Sequence, residues 1–213
     1  MRKTILLSLL VLLNLISFAQ KDVEAEKILV KVSETYKSYN SFRIKFNLTI
    51  ENVEEQINET SVGVADINGV KYKVDIMGAE TYFDGKTRYT FLKDSEEVNI
   101  SEPEDDDSEL ANPAKVFDLY KNGFDYSLVK VYKRSGIDVA EIVLIPKEER
   151  DYSKVILIID NKTFNVVSFT SVGKDGNNLV LKMSKLETNQ NFDDSHFVFD
   201  IKANPNVEVV DMR

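Results

Sequence analysis

The run Phe42-Arg43-Ile44-Lys45-Phe46-Asn47-Leu48-Thr49-Ile50-Glu51 alternates apolar and polar residues without a fault. Successive side chains of a strand point to opposite faces, so this period of two describes a strand with one dry face and one wet face. The residues before it follow another period. Ala25, Ile28, Leu29, Val32, Tyr36 and Tyr39 recur at spacings of three and four with Lys and Glu among them, which predicts an amphipathic helix over 22–40. Asp22 can cap it, with Ala25 at the third position instead of the Glu of a full capping box. A helix with a dry stripe that leads into a strand with a dry face needs a partner layer for each, and this is the start of an α+β fold.

Beyond Glu51 the period of two persists. Strands are predicted at 57–67, 70–77, 80–83, 87–92 and 96–100, separated by Asn68-Gly69, Gly78-Ala79, Asp84-Gly85 and Asp94-Ser95. Asn-Gly is the strongest hairpin signal of the set, because both central positions of the favoured turn need positive φ. A second series is predicted at 124–132, 137–145, 155–159, 166–172 and 178–186, and Phe197-Val198-Phe199 reads as a last short strand. Between the two series, Glu104-Asp105-Asp106-Asp107 reads as a solvated loop. The segment 112–120 follows it and reads as a short helix with Asn112 as cap and Pro113 in the first turn. Val116, Phe117, Leu119 and Tyr120 make that helix unusually apolar.

About eleven strands in succession must curl or close, since a flat open sheet of that width with exposed edges is a liability. A curved sheet covered by two helices either fills its middle with side chains or encloses a pocket. The candidate lining residues are Ile28, Val32 and Tyr36 of the long helix, Phe46 of the first strand, and Val116, Phe117, Leu119 and Tyr120 of the short helix. To these the later strands add Tyr72, Val74, Ile76, Tyr82, Phe83, Tyr89 and Phe91 at dry positions.

The chain opens Met1-Arg2-Lys3-Thr4 and then runs apolar from 5 to 18, broken only by Ser8, Asn14 and Ser17. Ser17 and Ala19 occupy the −3 and −1 positions of a cut before Gln20, so 1–19 is expected to be a cleaved signal peptide and 20–213 a single domain. The apolar run is shorter than a bilayer-spanning helix needs. The formal net charge is −9, and loss of Arg2 and Lys3 takes it to −11. Such a charge repels nucleic acid and anionic headgroups.

The sequence has no cysteine, hence no disulfide, thiol nucleophile or thiolate metal site. An exported chain of this size held by its core alone points to a bacterial periplasm. Its one histidine, His196, reads as a surface residue at the start of a strand and lacks partners for a zinc or nucleophile system. No dinucleotide or phosphate-loop pattern occurs, and the acidic run lacks the spaced ligands and central glycine of a calcium loop. The expectation is non-covalent binding, with no enzyme chemistry, metal or cofactor.

At four places the chain resembles the outer-membrane lipoprotein carrier proteins, LolA, of diderm bacteria. The amphipathic helix leads into the strand from Phe42 to Phe46. Asp84-Gly85-Lys86-Thr87-Arg88-Tyr89 is similar to the family's Asp-Gly-Lys-Thr-Leu-Trp hairpin, with Arg88-Tyr89 in place of Leu-Trp. The segment from Asn112-Pro113 to Tyr120 resembles the family's Asn-Pro-Phe helix. Phe169 with the Asp175-Gly176 turn, and the end from Phe197 through Pro205 to Val209, resemble its closing segment. The resemblance implies an incomplete, open antiparallel β-barrel with helices capping an apolar cavity. It implies a monomer that takes triacylated lipoproteins from an inner-membrane lipoprotein-releasing transporter to an outer-membrane acceptor.

One departure concerns release. Many members carry an Arg-Pro pair near the turn that corresponds to Asn68-Gly69, with the arginine linked to lid closure. Here no Arg-Pro occurs, and Lys71, Lys73 and Arg43 are the basic residues placed for a lid or release role. The alternative is a periplasmic binding or sensor module of the same architecture that holds a different lipid or an envelope protein.

Overall fold

The computed structural model of the chain describes residues 22–103, 112–121 and 123–213. The expected signal peptide, the acidic run 104–107 and Asn122 lie outside the described residues. Helix α1, Val23–Ser38, starts where Asp22 Oδ1 accepts hydrogen bonds from the backbone N–H groups of Glu24 (3.0 Å) and Ala25 (3.2 Å). A helix start leaves such donors without intrahelical partners. The predicted stripe is buried at Ala25, Leu29, Val32 and Tyr36, and the helix stops at Ser38 because Tyr39 is already extended.

The first meander comprises β1 (Phe42–Asn52), β2 (Ile57–Asn68), β3 (Lys71–Ile76), β4 (Ala79–Phe83), β5 (Arg88–Leu92) and β6 (Glu97–Ser101). The second comprises β7 (Phe124–Arg134), β8 (Ile137–Pro146), β9 (Tyr152–Asp160), β10 (Val166–Gly173) and β11 (Asn178–Thr188). Within each meander successive strands pair antiparallel, and β1 pairs with β11 to join the two. The faultless strand of the sequence therefore lies mid-sheet, with Phe42 opposite both Thr188 and Ile67. A twelfth strand, β12 (Glu208–Asp211), adds parallel to β6. The sheet ends in β12 on one side and β7 on the other, so the barrel is open.

Two predicted elements differ from what is found. Phe197-Val198-Phe199 is not a strand: Asp194–Phe197 is a turn of 3-10 helix, and both phenylalanines are buried without a neighbouring strand to pair with. The helix expected over 112–120 is a 3-10 helix, Val116–Lys121, preceded by a turn in which Lys115 N–H donates to the Asn112 carbonyl at 3.0 Å. Asn112 Oδ1 does cap this segment, accepting from Ala114 N–H at 3.0 Å.

Cross-strand partners share a face, so the register sorts the sheet into two surfaces. Ile44, Ala65 and Val74 stand in one row, and Phe42, Ile67, Tyr72 and Phe83 in another, on the face covered by α1 and the 116–121 helix. Arg43, Asp66, Lys73, Tyr82 and Tyr89 stand on the opposite face. There Tyr82, Val98 and Phe199 form a second small core, with Tyr89, Phe91 and Val207 packed against it. The segment after Thr188 is tied down by Asp66, which accepts from Arg43 Nε (2.6 Å) and Nη2 (2.7 Å) and bonds His196 Nε2 at 2.7 Å. His196 is thus a half-buried partner of a buried carboxylate, not the surface residue expected.

Candidate functional site

Between the covered face, α1 and the 116–121 helix lies a cavity of about 320 Å³. Leu29 and Val32 of α1 line it, with Ile44, Phe46 and Leu48 of β1, Ala65 of β2, and Val74 and Ile76 of β3. The far wall is Leu157, Val166, Phe169, Ser171, Leu179, Leu181 and Met183 of β9 to β11. Pro113, Val116, Phe117, Leu119 and Tyr120 cover it.

Two local features keep this space open and apolar. A bulge after Lys45 leaves Ser184 unpaired, its hydroxyl donating to the Lys45 carbonyl at 2.9 Å, so β11 presents Met183, Leu181 and Leu179 opposite Phe46, Leu48 and Ile50. Gly63 lies under the Phe46 ring: a Cβ there would come within 2.5 Å of Phe46 Cζ. Only glycine lets the ring lie down on the sheet instead of standing in the cavity. One end is closed, with Val32, Ile44, Ala65 and Val166 buried, while the other opens past Leu48, Ile76 and Pro113 to Leu179, which is 41% exposed.

The cover is attached to α1 by one aromatic stack and one polar cluster, and Tyr120 meets Tyr126 of β7 edge-on with ring centroids 6.1 Å apart. Phe117 stacks on Tyr36 of α1 with centroids 3.5 Å apart and planes 9° apart, and Phe42 meets both rings edge-on. Tyr36 in turn accepts from Val166 N–H at 3.2 Å and donates to Met183 Sδ at 3.6 Å; burial pushes its hydroxyl pKa up, so it stays neutral. Asp118, on the outer side of the 116–121 helix, accepts from Ser33 Oγ and pairs with Lys37 Nζ (2.9 Å) and Lys121 Nζ (2.6 Å). Burial raises the Asp118 carboxyl, but hydrogen bonds from Lys121, Ser33 and Lys37 together outweigh it and hold the pKa at about 2. The other end of α1 is pinned by Asp22 Oδ2, which accepts from Leu128 N–H of edge strand β7 at 2.8 Å.

The structure brings together Val32, Phe46, Val74, Ile76, Val116, Phe117, Leu119 and Tyr120 of the predicted lining. Ile28, Tyr36, Tyr72 and Phe83 belong to the same core but not to the cavity wall. Tyr82, Tyr89 and Phe91 face the other way, in the second core, because each sits one residue out of register with the cavity-facing set. Lys71, Lys73 and Arg43 are also on the opposite face, paired with Asp194 (2.7 Å), Glu80 (3.1 Å) and Asp66. The charged residues of the 116–121 helix are Asp118 and Lys121, and the sequence signal for them is their i, i+3 spacing among apolar residues.

Among the described residues, no group of three or more His, Asp or Glu could hold a metal ion, and no helix is long and apolar enough to cross a membrane. The model of the family described as outer membrane lipoprotein carrier protein LolA matches residues 15–185. The chain belongs to this family. It is therefore a non-catalytic, periplasmic binding module whose partners are lipids or proteins of the envelope. No curated protein matches it.

Among solved structures, the chain is similar to an uncharacterized conserved protein from Thermus thermophilus. That match has 13% identity, covers 88% of this chain and 99% of the other, and has a TM-score of 0.60. It is also similar to a DUF1329 family protein from Desulfovibrio piger, at 14% identity, over 84% of this chain and 98% of the other, with a TM-score of 0.52. Both likenesses are of fold.

Proposed function

We propose that this LolA-family member is a carrier that shields lipoprotein acyl chains and moves them, without covalent chemistry, from the inner to the outer membrane. Its cargo would be triacylated lipoproteins, its donor the inner-membrane lipoprotein-releasing transporter, and its destination an outer-membrane acceptor. The functional unit would be the single domain 20–213, acting as a monomer. The observation that carries this reading is the apolar cavity beneath a short cover held to α1 by one stack and one surface-screened polar cluster.

Each methylene kept from water is worth about 0.8 kcal/mol, so acyl chains do not cross an aqueous gap unshielded. A packed core would leave no room for them, and a rigid cover would not let them in. Release needs only a better apolar site on the acceptor. The test is to add purified 20–213 to energised spheroplasts of the native organism and look for lipoproteins in a soluble one-to-one complex. Val116→Asp, which puts a charge on the cavity wall at a half-buried position, is expected to abolish the complex while the protein stays folded. With an active transporter and verified folding, absence of any complex would leave a binding module that does not carry lipoproteins.

A further inference from the structure

The cavity is small for three chains, and its wall is not wholly apolar. A cavity of about 150 Å³ lined by Leu, Ile and Phe takes benzene, or about 25 Å³ per carbon. On that scale the 320 Å³ found here holds about 13 carbons, one acyl chain. The shape agrees. The closed end lies at Ile44 and the open end at Leu179, whose β1 partner is Ile50, and the strand between those two rows is about 20 Å long.

Ser171 of β10 is the exception in the wall. It is 5% exposed, lines the cavity, and stands between Val155 and Leu179 in the ladder. Its hydroxyl makes no hydrogen bond among the described residues. A buried hydroxyl without a partner is uncommon and unfavourable, and this one sits beside the open end. A chain with its methyl end at Val32, Ile44 and Val166 brings its first polar atoms to that depth. No Lys, Arg or His lines the cavity, so a charged carboxylate there would be buried without a counter-ion. An ester or amide carbonyl is an uncharged acceptor that suits a serine donor.

We infer that the closed cavity takes a single uncharged acyl chain of about 13 carbons, whose ester or amide carbonyl accepts a hydrogen bond from Ser171. This rests on the acyl-binding reading above. A three-chain cargo then seats one chain beneath the closed cover and holds the others only with the cover displaced.

The experiment is calorimetric titration of delipidated 20–213 with 1-monoacylglycerols of increasing chain length, below their micelle concentrations, and with the 1-O-alkylglycerols that lack the carbonyl. One-to-one binding is expected, tightening about fourfold per methylene until the chain reaches about 13 carbons and levelling off after that. Ser171→Ala is expected to weaken the esters about three- to tenfold and to leave the ethers unchanged, which also reports that the variant is folded. Affinity that keeps climbing with length, three chains bound per protein, or equal weakening of ester and ether overturns the inference and leaves acyl carriage standing. No binding of any chain overturns both.

Discussion

At Gly63 the absence of one atom decides whether there is a cavity. A Cβ would lie 2.5 Å from Phe46 Cζ, 2.7 Å from Cε2 and 3.1 Å from Ile76 Cδ1. Those atoms are the ends of side chains, so the ring can give way, and the space into which it swings is the cavity. Gly63→Val is therefore expected to fold with a loss of about 1–3 kcal/mol from overpacking and to lose most uptake of a fluorescent acyl probe. A folded variant with full uptake would show that Phe46 is not what the glycine accommodates.

Asp118 is the matching residue on the cover. Its pKa of about 2 lies below the ordinary 3.8, so its stabilising contribution is complete above about pH 4 and is lost as pH falls through 2. Its side chain is 35% exposed, so solvent screens the pairs and the whole cluster contributes about 1 kcal/mol. Asp118→Asn should then speed probe entry about fivefold at neutral pH. Wild type should gain that speed only on acidification below about pH 4, and the variant should not gain it again. Stopped-flow uptake across pH reads both.

Among the elements, α1 does the most with one residue. Asp22 caps the helix through Oδ1 and occupies the Leu128 N–H of edge strand β7 through Oδ2. Those bonds, the Leu128 bond first, hold its carboxyl below the usual range. Asp22→Ala is expected to lose about 1–2 kcal/mol in chemical denaturation, while Asp22→Asn keeps acceptors and loses less.

The hairpin turns run the other way. Asn68-Gly69 carried the strongest turn signal, yet only Gly69 takes positive φ, and the two-residue loop is Gly69-Val70. The two-residue turns in which both central residues take positive φ are Met77-Gly78, at 53° and 78°, and Ser135-Gly136, at 49° and 87°. Met77 is 58% exposed, so it bears left-handed strain without a packing return. Met77→Asn should raise stability by about 1 kcal/mol, a rise of about 2–4 °C in Tm. The periodicity of α1 and of β1 was legible because each buries one face. Phe197-Val198-Phe199 misled because alternating burial does not show whether a strand lies alongside: Phe197 ends the 3-10 turn, and the extended Val198 after it has no strand to pair with.

At the scale of the whole molecule, what the sequence hid was which face each dry residue serves. Alternation sorts a strand into two sets but cannot label them when both faces are buried. Tyr82 and Phe83 are adjacent, both apolar, and necessarily on opposite sides. The family resemblance spoke for the cavity side, and nothing local announced that the segment after Thr188 would cross the other face and return as β12 beside β6. One of the ties on that segment is the Asp66 cluster, beside the Lys71–Asp194 pair and the β12–β6 ladder. Burial raises the Asp66 carboxyl, and the hydrogen bonds from Arg43 and His196 more than reverse it, leaving the pKa below its ordinary value.

This contribution too is present above the ordinary carboxylate range and lost as pH falls below it. Asp66→Ala leaves Arg43 without its bidentate partner and His196 without its anchor, and charged hydrogen bonds of this kind are worth about 1.5–3 kcal/mol. We expect a loss of that size in chemical denaturation, with hydrogen exchange faster in 189–213 than elsewhere. The cavity is walled by the other face, so the folded variant should bind an acyl probe as tightly as wild type. Weakened probe binding would mean that the two faces of the sheet are coupled and that the segment beyond Thr188 helps to set the shape of the cavity.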